Sequence, residues 1–102
     1  MNVVNVYEKK SSFAVLAQSE LMQTAVMELP PGDASGPKSN EHGQSEQILY
    51  VVEGEVRAEI GDRTFTMSAG DSVIVPRRVA HRFTNVGSVT AVTFNVYSPP
   101  AY

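Results

Sequence analysis

The sequence predicts an all-β barrel or sandwich of short strands, and two observations support that fold class. Glycine, proline and aspartate are dense from residue 30 onward, and the segments between them are mostly 5–9 residues long. Several of these segments alternate apolar and polar side chains, as a strand with one buried face does. The length of 102 residues suits one domain over residues 1–102, with its barrel core over about residues 22–98.

The N-terminal third fits two interpretations. Apolar positions within residues 13–21 match a helical stripe. The segment from Ala25 to Leu29, which runs into two prolines, instead has the pattern of a strand that ends in a turn. We therefore expect strands in both halves of this region, joined by a turn at Ser19 and Glu20.

The middle of the chain predicts a series of strands and tight turns. Ile48 to Val52 is a continuous apolar run, typical of a strand buried on both faces. Residues 55–60 alternate strictly, so Val56, Ala58 and Ile60 face the core. Gly61 and Asp62 then form a two-residue hairpin turn. Further strands are expected over residues 63–67, with Phe65 and Met67 inward, and over residues 72–75, 82–84 and 90–96.

Composition and charge exclude several partners. The net charge is −3, and basic residues cluster only in the pairs Lys9-Lys10 and Arg77-Arg78, so we expect no nucleic-acid partner. Arg77-Arg78 is interpreted as a solvated loop, with an anion clamp at a pocket rim as the alternative. There is no cysteine, no leader-like N-terminus and no apolar run long enough for a membrane helix. We expect a cytoplasmic protein without a membrane partner.

Polar residues at inward positions indicate the candidate site, because burying an unpaired polar group costs roughly 1–3 kcal/mol. Gln47 shares its inward parity with Leu49, and His81 shares a face with Phe83. His42, the other of the two histidines, lies shortly before Gln47. We expect these three side chains to meet at one end of the barrel and form a small-molecule or metal site.

Two segments resemble the sequence motifs of the cupin superfamily. The second motif reads Gly, five residues, Pro, one residue, Gly, two residues, His, three residues, Asn. Residues 70–85 match it except that Arg78 replaces the central glycine, and the matching residues are Gly70, Pro76, His81 and Asn85. Asn85 itself is expected to cap a turn.

The first cupin motif is matched less completely. Its pattern is His, one residue, His, three or four residues, Glu, six residues, Gly. His42 and Gly54 match, whereas Asn40 stands in place of the first histidine and Gln47 in place of the glutamate. The resemblance covers roughly residues 26–98.

The resemblance implies a cupin-type double-stranded β-helix, a jelly-roll barrel of two packed antiparallel sheets. It also implies that the four motif positions Asn40, His42, Gln47 and His81 hold a divalent transition metal such as Zn, Ni, Fe, Mn or Cu. Gln47 and Asn40 are neutral and offset none of the ion's charge, so affinity should be lower than with the usual glutamate. Glu41 and Glu46 should point away by alternation, and Asn40 also fits a plain loop position.

Two functions from different classes are consistent with this site. The first is a metal-dependent enzyme of oxygenase or isomerase type that acts on a small organic substrate, although no general base stands out. The second is a non-enzymatic barrel that binds a sugar or effector with weak or no metal. In the plainest alternative, His42, Gln47 and His81 only hydrogen-bond one another or water.

An open barrel leaves unpaired strand edges, which proteins cover or pair. The segment from Val3 to Leu16 is apolar enough to cover one edge, and a second chain would cover another. We therefore expect a homodimer.

Overall fold

The computed structural model describes residues 3–8, 11–40 and 43–102. Apart from a single turn of 3-10 helix at Val6–Glu8, the regular structure of this part is β-structure, as the sequence predicts. The strands are β1 (Phe13–Gln18), β2 (Gln23–Leu29), β3 (Glu46–Glu53), β4 (Glu55–Ile60), β5 (Arg63–Ser68), β6 (Ser72–Val75), β7 (His81–Asn85) and β8 (Ala91–Ser98). No helix of the described residues has the length and hydrophobicity that crossing a bilayer requires.

Two antiparallel sheets form the layers of a jelly-roll barrel. The larger sheet has the strand order β1-β2-β8-β3-β6, and the smaller has the order β5-β4-β7. In the N-terminal third, β1 and β2 confirm the strand interpretation, and the helical one is wrong. The turn between them is held by Ser19, whose hydroxyl accepts a hydrogen bond from the Met22 amide at 3.2 Å. The β1–β2 pair also shows that part of the N-terminal segment covers a sheet edge within its own chain.

The core lies between the two sheets, where the inward side chains of both meet. Val56 and Ala58 are fully buried, as strict alternation predicts. The buried apolar cluster comprises Leu29, Leu49, Val51, Val56, Ala58, Met67, Val75, Phe83 and Ala91.

The expectation that residues 48–52 form a strand buried on both faces is wrong. In β3, Leu49 and Val51 are fully buried, whereas Ile48 and Tyr50 are 42% and 40% exposed. The reason is that the larger sheet belongs to a two-layer fold and packs only its inner face. An apolar outer face therefore remains on this sheet.

Two backbone positions show why the motifs favour glycine. Gly54 has φ +84°, and a Cβ there would lie 2.9 Å from the Ala91 Cα, closer than side chains tolerate. Arg78 has φ +65° although it carries a side chain. The central glycine position of the second motif therefore keeps its left-handed conformation in this chain, at a cost in backbone strain.

The loop between β2 and β3 lies along the free edge of β7. Single bridges join Ala34 to Thr84 and Ser39 to His81. The Ser35 hydroxyl also accepts a hydrogen bond from the Phe83 amide at 3.0 Å. These contacts close one end of the space between the sheets, next to His81.

Candidate functional site

Gln47 lies on the inner face of β3, the strand between β8 and the edge strand β6 in the larger sheet. Its register partners are Val75 on β6 and Tyr97 on β8. The side chain is 3% exposed, so the inward position expected from the parity of Leu49 is confirmed. A carboxamide this deeply buried needs hydrogen-bond partners for both of its ends.

Among the described residues, only one end of the Gln47 amide has such partners. Its Nε2 donates to Asn95 Oδ1 at 2.9 Å and lies 3.4 Å from the Tyr97 hydroxyl oxygen. Its Oε1 is buried and finds no donor within the described part of the chain. An unsatisfied buried acceptor is costly, and in native proteins it marks a place where a water, an ion or a ligand supplies the missing bond.

His81 is the first residue of β7 and is buried beside Phe83, on the face that the sequence predicts. Its Nδ1 lies 2.9 Å from the backbone oxygen of Val79. A carbonyl oxygen only accepts hydrogen bonds, so Nδ1 carries the proton and donates it. In the neutral ring Nε2 is then the lone-pair nitrogen, the form that accepts a hydrogen bond or binds a metal.

Gln47 and His81 line the same cavity, which has a volume of about 50 Å³. That is room for a few water molecules or one ion with a small ligand group. Most of the wall is aromatic or apolar, and the lining residues are Phe13, Met27, Ser35, Pro37, Gln47, His81, Phe83, Tyr97 and Tyr102. Rings in tilted and edge-to-face contact build one side, since the Tyr102 centroid lies 4.9 Å from that of Phe13 and 5.1 Å from that of Tyr97.

The structure does not place the other predicted site residues in this cavity. Asn40 is exposed and does not line the cavity. His42 and Glu41 lie outside the described residues, so their part in the site stays a prediction. Glu46 is exposed on the outer side of β3, as alternation requires. No group of three or more His, Cys, Asp or Glu side chains placed to hold a metal occurs within residues 3–8, 11–40 and 43–102.

Two further motif positions are structural. Asn85 accepts a hydrogen bond from the Gly87 amide at 2.8 Å and donates to the Leu29 and Val89 carbonyls, so it caps the turn after β7 as expected. Arg77 and Arg78 are both exposed, in keeping with a solvated loop.

Sequence reasoning missed the residues of β8 that support Gln47. Thr93 and Asn95 are both fully buried, with Asn95 beside Gln47 and Thr93 beside Asn95. The only signal was their shared parity with Tyr97. That signal was weak, because Val92, Phe94 and Val96 are the more hydrophobic set on this strand and alternation favours them for the inside.

A larger groove lies elsewhere, between the edge strands β5 and β6. Its volume is about 550 Å³, and its lining is mostly apolar, with Asp62 and Arg63 as its charged residues. Size favours this groove, but the unsatisfied acceptor and the imidazole are in the smaller cavity. We take the smaller cavity as the candidate site, because convergent polar groups in an apolar wall identify a binding site better than volume does.

The arrangement offers two neutral lone-pair donors, an amide oxygen and an imidazole nitrogen, in an aromatic cavity. Such donors fit a divalent transition metal, and the unsatisfied Gln47 oxygen is the observation that favours that fit. They equally fit a ligand that carries N–H or O–H groups. Neither side chain supplies negative charge, so an ion held here keeps its full charge toward a substrate.

Comparison with known proteins agrees with the fold. The family model described as the cupin domain matches residues 25–97. "Polyketide synthase CurC" of Streptomyces cyaneus is 35% identical over 75 residues, which make up 74% of this chain and 46% of that protein. The chain spans about half or less of the length of the curated relatives it matches.

Solved structures show the same fold over nearly the whole chain. BH2720 from Bacillus halodurans superposes with a TM-score of 0.89 at 20% identity, over 99% of this chain and 83% of its own. TT1209 from Thermus thermophilus gives 0.83 at 25% identity, over 97% of this chain and 98% of its own.

Proposed function

This chain belongs to the cupin family, and we propose that it is a metal-dependent small-molecule enzyme of oxygenase or isomerase type. The observation that carries the proposal is the buried Gln47 Oε1, which lacks a donor among the described residues and belongs to a side chain that lines the same cavity as His81. A fold without a ligand role for this position would place an apolar side chain there, because an unpaired buried acceptor is costly.

In this proposal His81 holds the metal through Nε2 and Gln47 through Oε1, with His42, which lies outside the described residues, as the expected further ligand. The Val79 carbonyl orients the His81 ring by accepting its Nδ1 proton, as outer partners of metal-binding histidines commonly do. When bound, the ion supplies Lewis-acid polarisation of a substrate oxygen. The rings of Phe13, Phe83 and Tyr102 exclude water and favour a compact, partly apolar substrate.

The name of one relative supports a small organic substrate. The protein of Streptomyces cyaneus is named as a polyketide synthase, and the matched region covers 46% of its length.

The second candidate is a non-enzymatic barrel that binds a small molecule without metal. What favours it is the lack of a carboxylate among the described cavity residues, since Gln47 stands where a charged ligand would offset the ion. The unsatisfied oxygen then accepts a hydrogen bond directly from the ligand.

Metal analysis of protein purified without an affinity tag separates the two candidates. The enzyme proposal expects about one equivalent of transition metal per chain, retained or taken up on titration with Zn²⁺. It also expects Gln47→Glu to bind Zn²⁺ more tightly, because the carboxylate adds the missing charge. Gln44→Glu is the matched control, since it adds the same charge at an exposed position.

Uptake below about a tenth of an equivalent in both wild type and Gln47→Glu would overturn the metal proposal. The non-metal candidate is then tested with methanol, which is small enough for a cavity of about 50 Å³, and with acetonitrile as the control that lacks the O–H donor. Binding of methanol in preference to acetonitrile, read from shifts of the Gln47 side-chain amide in nuclear magnetic resonance spectra, supports it. Equal or absent binding of the two would remove the cavity as a site.

A further inference from the structure

We infer that Thr93 and Asn95 are positioning residues that hold the Gln47 amide with its oxygen toward the cavity. The site therefore selects groups that carry positive charge or donate a hydrogen bond, and it disfavours carboxylates and other pure acceptors. This inference rests on the proposed use of Gln47 as a ligand-binding residue, and it adds what sets the polarity of that residue.

The chain of hydrogen bonds starts at a backbone carbonyl. The Thr93 hydroxyl lies 3.1 Å from the Met27 backbone oxygen. A carbonyl oxygen has no proton to give, so the hydroxyl donates. This leaves only lone pairs on Thr93 Oγ1 for any further contact.

Asn95 is fixed by that hydroxyl. Its Nδ2 lies 3.0 Å from Thr93 Oγ1 and 3.4 Å from the Thr93 carbonyl oxygen, and both of these atoms accept. The amide of Asn95 must therefore present its NH₂ group to Thr93. Its Oδ1 is consequently turned to the other side, toward Gln47.

The Asn95 oxygen in turn fixes the orientation of the Gln47 amide. Its Nε2 donates to Asn95 Oδ1 at 2.9 Å. A reversed Gln47 amide would bring two carbonyl-type oxygens together and lose this bond. The Met27 carbonyl thus determines, through the Thr93 and Asn95 side chains, which end of the Gln47 amide faces the cavity.

Burial makes the orientation firm. Thr93 and Asn95 have no exposed surface and Gln47 is 3% exposed, so water does not compete for these groups. With Nε2 occupied, Oε1 is the end of the amide left for a ligand. A metal ion, an ammonium group or a hydroxyl satisfies it, whereas a carboxylate does not.

Zn²⁺ binding in two backgrounds tests the positioning role. Asn95→Leu removes the oxygen that orients Gln47, and we expect its Zn²⁺ affinity to fall about tenfold, the effect of one lost hydrogen bond between two neutral amides. In the Gln47→Glu background the same Asn95→Leu change should not weaken Zn²⁺ binding and should strengthen it, because it removes an oxygen that faces, and repels, the new carboxylate. Isothermal titration calorimetry measures all four proteins.

A merely structural role of Asn95 predicts a different result, namely equal weakening of Zn²⁺ binding in both backgrounds, and that outcome would overturn the inference. Thr93→Val is the second, nearly isosteric variant. It removes only the hydroxyl. It should weaken Zn²⁺ binding when residue 47 is the native glutamine, but not in the Gln47→Glu background.

A measurement without metal keeps the inference separate from the proposed function. The Gln47 NH₂ protons should exchange slowly with solvent in wild type and faster in Asn95→Leu, as seen in nuclear magnetic resonance spectra of the apo-protein. If the Gln47 NH₂ protons exchange slowly but no variant binds Zn²⁺, the metal proposal is contradicted and the positioning role is supported. Fast exchange of these protons in the wild-type protein would contradict the positioning role itself.

Discussion

Gln23 holds the backbone of Tyr102 with both ends of its side-chain amide. Its Nε2 donates to the Tyr102 carbonyl oxygen at 2.6 Å, and its Oε1 accepts from the Tyr102 amide at 3.0 Å. The same oxygen accepts from the Ala101 amide at 3.1 Å. The Tyr102 ring forms part of the cavity wall. Gln23, which is buried and does not itself line the cavity, therefore holds part of that wall in place.

Replacing Gln23 should therefore cost stability and loosen that wall. We expect Gln23→Leu to lower the free energy of unfolding by about 2 kcal/mol, because several hydrogen bonds are lost at once. The packed tyrosine rings should also lose part of their near-ultraviolet circular dichroism. Urea unfolding measures the first effect, and Gln18→Leu, which removes only the 2.9 Å bond from Gln23 to Gln18, is the control. Equal losses in the two variants would contradict a special role for the contact with Tyr102.

Arg78 predicts a stabilising substitution. Its φ of +65° is strained for a residue with a Cβ, so Arg78→Gly should raise the free energy of unfolding by about 1 kcal/mol. Arg77→Gly is the control and should lower it, since glycine there only adds freedom to the unfolded chain. Thermal unfolding of both variants checks the pair. A less stable Arg78→Gly would show that the arginine side chain, which lies near Gly43, contributes more than the strain costs.

The pair of Arg82 and Glu59 predicts a pH-dependent contribution to stability. Arg82 donates two hydrogen bonds to the Glu59 carboxylate, at 3.0 and 3.1 Å, and these bonds lower the pKa of Glu59 below its usual 4.5. A lowered pKa in the folded state means that the stabilisation is present above about pH 4.5 and is lost as the pH falls through the folded value.

The difference in unfolding free energy between wild type and Arg82→Gln should thus be constant near neutral pH and shrink in acid. Arg77→Gln removes the same charge from an exposed loop and should show no such change. Urea titrations at a series of pH values measure both differences. A difference for Arg82→Gln that shows no decrease as the pH falls below about 4.5 would contradict the assignment.

The expected homodimer stays a prediction, and we propose that it forms through the outer face of the larger sheet rather than through a strand edge. Ile48 and Ile74 are register partners and are 42% and 60% exposed, with Tyr50 nearby at 40%. The outer side of the smaller sheet instead carries polar and charged side chains such as Arg57, Glu59 and Thr66. An exposed apolar face marks an interaction surface, and a two-fold axis would let the same face of a second copy cover it.

Light scattering should therefore give about twice the chain mass of 11.1 kDa. Ile74→Lys should shift the protein to the monomer, because it places a charge in the contact. Thr66→Lys adds the same charge on the smaller sheet and should leave the dimer intact. A wild-type protein at the monomer mass would refute the proposal.

Local patterns were sufficient for much of the architecture. Alternation placed Gln47 with Leu49 and His81 with Phe83 on inner faces, and the Gly61-Asp62 turn joins β4 to β5 as expected. These features depend on residues next to one another in the chain, where the two-residue period of a strand and the turn preference of glycine act directly. Alternation failed where a whole face was apolar, as in β3.

The sequence by itself determined an all-β jelly-roll barrel with Gln47 and His81 on inward-facing positions. The tertiary structure alone decided which face of β8 is inside, and it chose the face with Thr93 and Asn95 over the more hydrophobic face with Phe94 and Val96. The physical reason is that the choice depends on pairing with β2 and β3, which are distant in sequence, and on hydrogen bonds that satisfy the buried polar groups. Those long-range pairings make the Met27–Thr93–Asn95–Gln47 chain, and no local pattern encodes it.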